Sequence, residues 1–378
     1  MVDYITLQLS RHRGIGKELY ERALNSLEYL AQLRDCGFDP IFKGGTAVQL
    51  LVPDSLQRLS IDLDFAVTSD EDNIKSFLDV VNTKYGTGMN RYERTGDSLP
   101  SHILLYNVYI PSIISKSTSK VELDFLLHEP RFKTQQVQIK TFFYECELLI
   151  RVPTVEALLG DKMTVIADGT IGKDLEMSAL SYAKQLYDLH TLLSIGTTTK
   201  DMFDAFLDVF DFEKKTRNRP ELHLKDALES ITHICQIIAM VEHLPSWVKE
   251  PRILRKTKSL KSGIDGLSQY TSTQLKLNYS RASVLASKLA FLCTLMLEYN
   301  QNSMNKLPSI SILREDNQHL QAIIKERDQL ETLIQDLRDI KKDKKIYFEP
   351  NILKKINPVA LVFWHAAFFP SKALDSLT

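Results

Sequence analysis

The chain has 378 residues, 44% of them hydrophobic and 25% charged, with 47 Lys and Arg against 48 Asp and Glu for a formal net charge of −1. That make-up belongs to a soluble globular protein long enough for two domains, and it excludes disordered, collagen-like and disulfide-scaffold classes. The balance also excludes a wholesale polycation, while leaving room for a local basic groove that binds nucleic acid.

Cys36, Cys146, Cys235 and Cys293 are dispersed, with no CxxC pair and no His at zinc-type spacing. Neither a zinc site nor a disulfide framework is expected, and a reducing, cytoplasmic setting is. The N-terminal sequence has no apolar core suited to a signal peptide. The longest apolar run, Val359 to Phe369, contains His365 and falls well short of a membrane helix, which needs roughly 20 residues. A membrane partner is therefore not expected.

Leu19, Ala23, Leu27 and Leu30 recur at helical spacing and predict a helix over 15–36, stopped at Cys36-Gly37. Ile41-Phe42 then runs into Lys43-Gly44-Gly45 and TAVQLL, the pattern of strand, glycine turn and helix, ended by Pro53-Asp54. From Ser60 the chain alternates apolar and acidic residues through Ile61-Asp62-Leu63-Asp64-Phe65, which predicts a strand with one polar face. A helix is expected at 71–84, strands at 102–110 and 120–127 joined by a Ser/Lys-rich turn, and another strand at 143–152. Pro153 then opens a helical stretch with Val155, Leu158, Leu159 and Met163, and nearly everything beyond 155 reads as helix. Between 313 and 341, Leu320, Ile323, Ile324, Leu330, Ile334 and Leu337 follow mixed three- and four-residue steps. This favours one long helix packed within its own domain over a coiled-coil seam of about three heptads. The expected division is residues 1–153, a mixed α/β part, and residues 154–378, a helical part.

Asp62 and Asp64 stand two apart in a strand, so both side chains leave the same face. Carboxylates this close repel unless a cation lies between them, and Mg²⁺ takes oxygen ligands while sharing its shell with substrate phosphates. Asp124 lies in a second apolar strand, Val121-Glu122-Leu123-Asp124-Phe125. Three carboxylates on neighbouring strands suit two metal ions, one activating an attacking hydroxyl and the other stabilising a leaving pyrophosphate. Upstream, Gly44-Gly45-Thr46 lets backbone amides approach a phosphate chain at a helix N-terminus. Alone, the D-x-D pair is an ordinary polar strand face and the Gly-Gly an ordinary turn. Their order (glycines, paired acids, then an acidic strand) points to metal-dependent phosphoryl chemistry.

KGGTAVQLL followed by RLSIDLDF resembles the signature of the AbiEii-type nucleotidyltransferases, the toxins of bacterial type IV toxin–antitoxin and abortive-infection systems within the DNA polymerase β-like superfamily. The later blocks LLGDKMTVIADGTIG and KQLYDLHTLL are similar to the same family, which carries a helix lysine and then an aspartate in a (K/R)-x-x-[FY]-D-[LIV] helix. Together the matching blocks span about residues 41–193. The resemblance implies an α+β fold: a nucleotidyltransferase core with a small mixed β-sheet, followed by a large helical domain, with the nucleotide between them. It implies Gly44, Gly45 and Thr46 for the triphosphate and Asp62 and Asp64 as metal ligands. Asp124 would be the third metal-side acid, orienting or deprotonating the acceptor hydroxyl. Lys162 would contact nucleotide phosphate, and Asp188 would support that lysine or the nucleotide sugar. Arg58 and Ser60 would hold phosphate or brace the turn. The gap from Gly45 to Asp62 is longer than in the minimal antibiotic-modifying relatives, which leaves the length of the helix and loop between them open.

Plainer roles stand beside these. Lys162, next to Asp161, also reads as an exposed charged pair, Asp188 as a partner of Lys184, Arg58 as a surface residue, and His190 as structural. Two basic stretches interrupt the balanced background. One holds Lys249, Arg252, Arg255, Lys256, Lys258 and Lys261; the other is KKDKKIYFEPNILKK at 341–355, with Tyr347 and Phe348 as stacking candidates. Each reads either as a solvated face or as an RNA-binding surface. The resemblance implies an NTP substrate, two Mg²⁺ ions, a cognate antitoxin, and RNA, in particular the tRNA acceptor end, as acceptor. Two other readings compete: a nucleotidyltransferase acting on a small molecule or protein, and a catalytically inactive nucleotide-binding protein that docks partners through its helical half.

Overall fold

The computed structural model describes residues 16–86, 88–91, 102–115, 117–128, 130–244, 246, 248–271, 276–340 and 357–377. The basic stretch 341–355, with Tyr347 and Phe348, lies outside the described residues. Backbone packing divides the chain into two compact units, Met1–Leu158 with Ser268–Lys276, and Leu159–Leu267 with Leu277–Thr378.

The first unit contains α1 (Lys17–Asp35), β1 (Ile41–Lys43), α2 (Gly44–Leu51), β2 (Asp62–Ala66), α3 (Glu71–Tyr85), β3 (Gly88–Arg91), β4 (Ile103–Pro111) and β5 (Thr118–Leu126). A hairpin of β6 (Thr134–Thr141) and β7 (Tyr144–Pro153) follows. The five-stranded sheet has the order β1-β2-β5-β4-β3. It is mixed, because β2 runs parallel to β5 while its other pairings are antiparallel. The stretch between Gly45 and Asp62 is filled by α2, a single 3-10 turn at Asp54–Leu56 and a short extended lead into β2.

Strand alternation sorts the sheet into an apolar and an acidic face. Leu63, Phe65, Val121, Leu123 and Phe125 are buried, whereas Asp62, Asp64, Glu122 and Asp124 keep partial exposure. Phe65 stacks on Phe125 with ring centroids 5.1 Å apart, and Phe38, Phe42 and Tyr106 close around them. Such rings carry much of the burial energy of a small core. The buried Ser26 of α1 donates to the carbonyl of Ile61 at 2.6 Å, which pins the entry to β2. The first unit also takes in Ser268–Lys276: Leu59 N donates to Tyr270 O at 2.7 Å, and Arg58 forms an isolated antiparallel bridge with Thr271.

α4 (Val155–Val165) carries the chain into the second unit. That unit continues through α5 (Ala179–Ile195), α6 (Thr199–Thr216), α7 (Leu224–Met240), α8 (Pro251–Leu267) and α9 (Tyr279–Asn300). It closes with α10 (Gln318–Lys325), α11 (Arg327–Ile340), α12 (Pro358–Phe368) and α13 (Pro370–Leu377). α9 has 22 residues and is long and apolar enough to cross a membrane, which the reading of apolar runs passed over. It packs against α7 and α12, and most of it is buried inside the unit. The long helix expected over 313–341 is instead two helices, broken at Glu326, whose φ −94 and ψ 107 are extended. Asn317 caps the first by accepting from the amides of His319 and Leu320. The break lets both helices lay their apolar sides on α12, which mixed three- and four-residue steps on one straight helix would not allow.

α5 gives a test of pH dependence. Burial, and then the charges of Lys288 and Arg281, hold the half-buried His190 down to about 4 from its ordinary 6.5, against an opposing pull from Glu315. The unfolded chain therefore takes up a proton that the folded chain refuses. The neutral ring's share of stability is present above pH 6.5 and is lost as pH falls toward 4, by up to about 3 kcal/mol. Urea unfolding at pH 7.5 and 4.5 is expected to show a smaller acid loss for His190→Gln than for the wild type. An equal loss in both would remove His190 from the acid limb.

Candidate active site

The first part of the site is built by the junction of β1 and α2. Lys43 is extended and Gly44 takes φ +74, so the chain turns into helix within one residue. A Cβ on Gly44 would stand 1.7 Å from Asp64 Oδ2. One on Gly45 would stand 2.5 Å from Arg58 Nη2 and 2.7 Å from Ser60 Oγ. The glycine pair thus lets the first turn of α2 lie flat against an acid, a guanidinium and a hydroxyl. Helix N-termini have amides without helical partners and favour anions. Arg58 and Ser60 are buried rather than on the surface, and Arg58 also donates to the carbonyl of Leu59 at 3.0 Å. Thr46 is fully buried and donates its hydroxyl to the carbonyl of Asp62 at 2.8 Å, so that side chain braces the acidic strand.

Gly44→Ala is expected to cost about 1–2 kcal/mol in backbone strain alone. It also has to displace Asp64. Transfer activity should fall at least tenfold while circular dichroism stays native; full activity with a native spectrum would show that this contact has no role.

The second part is the acidic face of the sheet. In the parallel register of β2 and β5, Asp62 faces Glu122 and Asp64 faces Asp124, while Lys43 of β1 lies opposite Asp64. Neighbouring strands are about 4.8 Å apart, so residues in register share a face. Four carboxylates therefore stand in two adjacent rows. Glu122 was not among the residues singled out from the sequence, although its i, i+2 relation to Asp124 repeats that of Asp62 and Asp64. Lys120 Nζ lies 2.8 Å and Arg22 Nη2 3.5 Å from Glu122 Oε1.

Among the described residues, no three His, Cys, Asp or Glu side chains converge on a point that could hold a metal. The donor set on this face is nonetheless all carboxylate oxygen. That chemistry fits Mg²⁺ and does not fit the nitrogen and sulfur preferences of zinc or copper.

Lys162 and Asp188 meet in the second unit. Lys162 on α4 places Nζ 2.8 Å from Asp188 Oδ2 and 2.9 Å from Gln185 Oε1, both on α5. The two charged side chains are only 4% and 1% exposed, so Lys162 is not part of a solvated surface pair. Gln185 is a further residue that sequence reasoning missed; it stands one turn before Asp188 on the same helix face. The basic stretch of α8 is also divided by the fold. Lys256 is buried, with Nζ 2.6 Å from Asp168 Oδ2, which withdraws it from any surface role.

A family model described as nucleotidyl transferase AbiEii toxin, type IV TA system, matches residues 29–247, more than half of the chain. Among solved structures, JHP933 from Helicobacter pylori is similar at 16% identity, over 75% of this chain and 97% of that one, with a TM-score of 0.42. A candidate nucleotidyltransferase from H. pylori is similar at 14% identity, over 75% of this chain and 99% of that one, with a TM-score of 0.41. No curated protein matches the chain.

Proposed function

The chain belongs to the AbiEii family of nucleotidyltransferase toxins, and from that premise we propose that it is a Mg²⁺-dependent cytoplasmic enzyme that transfers a nucleotide from an NTP to the 3′ end of tRNA, under the control of a cognate antitoxin. The observation that carries this reading is the register that sets Asp62 and Asp64 beside Glu122 and Asp124, next to the N-terminus of α2.

In the proposed reaction, the first-turn amides of α2, with Arg58 and Ser60, hold the triphosphate. Asp62 and Asp64, which leave the same face of β2, would be the ligands of Mg²⁺, with Asp124 beside Asp64 in register, and the ion would supply neutralisation of phosphate charge and acidification of a hydroxyl. Asp124 takes the proton of the acceptor hydroxyl as its oxygen forms a bond to the α-phosphorus and the bond to pyrophosphate breaks. Glu122 stands in the same row, and its pairing with Lys120 and Arg22 makes it the less available base. Lys162 donates hydrogen bonds to Asp188 and Gln185, which fix its ammonium in the second unit. Fixed dipoles and charges aimed at the spreading phosphoryl charge then supply most of the rate.

The test is incubation of the protein with each α-labelled NTP, Mg²⁺ and total bacterial RNA, with Asp62→Asn/Asp64→Asn alongside. Label entering a tRNA-sized band only with the intact acids is the expected result. Label appearing instead on protein or small-molecule acceptors would replace tRNA as the substrate, and no transfer to any acceptor would overturn the catalytic reading.

A further inference from the structure

We propose that the outer face of α8 is an RNA-backbone docking surface that grips the acceptor; this rests on the reading of RNA as the substrate. Lys249, Arg252, Arg255, Lys258 and Lys261 follow one another at steps of three residues, and all five are exposed. Residues three apart on a helix are neighbours, with Cβ atoms about 5–6 Å apart, so the four within α8 form one continuous cationic ridge. Such a ridge repels itself.

Elsewhere on the surface, several cations sit beside an acid of their own helix or its end. Lys200 pairs with Asp204, Arg217 with Glu213, Lys225 with Glu229, and Arg327 with Glu331, each four residues apart. On α8 no acid stands three or four residues from Arg252, Arg255 or Lys258. The acid at that spacing from Lys261 is Asp265, which accepts from the hydroxyl of Tyr279 at 2.9 Å. Arg255 is met by Glu176 at 2.7 Å, and Lys261 Nζ lies 5.9 Å from the centroid of the Tyr279 ring, so among the described residues Lys258 and Lys261 are the adjacent cations left without an ion pair, and Arg252 stands six residues before Lys258.

The rotation of the helix is fixed from beneath. Lys256 points inward to its buried pair with Asp168, and a Cβ on Gly263 would stand 2.2 Å from the carbonyl oxygen of Ala179. α8 therefore cannot roll its cations toward other acids. A ridge of outward cations with a single helical acid, Asp265 near its end, is matched by a polyanion that brings closely spaced charges of its own, and RNA phosphates do so with release of counterions.

The experiment measures binding of labelled total tRNA, without NTP, to the full chain from 50 to 200 mM salt. The variant is Arg252→Gln/Lys258→Gln/Lys261→Gln, and a matched control, Lys200→Gln/Lys225→Gln/Arg327→Gln, removes the same charge from paired sites. The α8 variant is expected to bind tRNA at least tenfold more weakly at 100 mM salt. Its plot of log affinity against log salt should be shallower by about 2. The control should match the wild type. Equal losses in variant and control, unchanged binding in the α8 variant, or no tRNA binding by the wild type would each overturn the proposal. So would loss of binding to phosphatidylserine vesicles with tRNA binding intact, which would assign the ridge to a membrane surface. The two readings fail separately: label transfer to tRNA with unchanged binding in the variant removes the ridge alone, and ridge-dependent binding without transfer removes the acceptor assignment alone.

Discussion

Asp64→Asn is expected to lose about 10²–10³-fold of nucleotidyl transfer, the scale on which removal of one preorganised charge-stabilising group acts, while the fold is retained. The substitution keeps the shape of the side chain and removes one charge from four carboxylates on a shared face, so stability should change by less than about 1 kcal/mol. Asp62→Asn should behave alike. Asp124 and Glu122 give the finer comparison. If Asp124 takes the acceptor proton, Asp124→Asn should depress turnover with little change in KM, and Glu122→Gln should cost far less because Lys120 and Arg22 already hold that carboxylate. A larger loss in Glu122→Gln would exchange the two roles. Wild-type turnover in Asp64→Asn would remove the mechanism.

Asp188→Ala should be among the most destabilising single substitutions in the second unit, at about 3–5 kcal/mol, because it strands the Lys162 ammonium in an interior where both side chains are almost wholly enclosed. The double variant Lys162→Met/Asp188→Leu should recover most of that loss, since a buried ion pair is often no more stable than an apolar pair of similar volume. Urea unfolding of wild type, single and double variants measures both effects. A cost below about 1 kcal/mol for Asp188→Ala would show that the pair adds nothing to the fold. The double variant then separates structure from chemistry: folded and inactive, it assigns the lysine to the reaction; folded and fully active, it leaves the pair a purely structural feature.

The glycine pair, the D-x-D strand and the lysine and aspartate of α4 and α5 were all legible as short patterns, because turn chemistry and strand alternation act over a few residues. The helix over 17–35 and the strands at 103–111, 118–126 and 144–153 follow the periodicities that announced them to within a residue or two. β6 was not announced. Its sequence, TQQVQIKT, is mostly polar, and pairing with β7 rather than burial makes it a strand. Glu122 carried the same alternating signal as Asp124, yet its place beside Asp62 depends on a parallel pairing with a strand far away in the chain. The basic run on α8 looked uniform, and only packing divided it into an outward ridge and one lysine withdrawn to Asp168.

By itself, the order of amino acids determined the types of most elements, with β3 and β6 the exceptions, together with the family signature and the chemical character of the site, since each is written in local spacing and side-chain chemistry. Tertiary structure decided which acids stand in register, that Thr46 braces β2, that Lys162 and Lys256 are buried in ion pairs, and that residues 268–276 rejoin the first unit. Each of these depends on which distant segments pack together, and burial turns the same lysine from a solvated charge into one that must be paired.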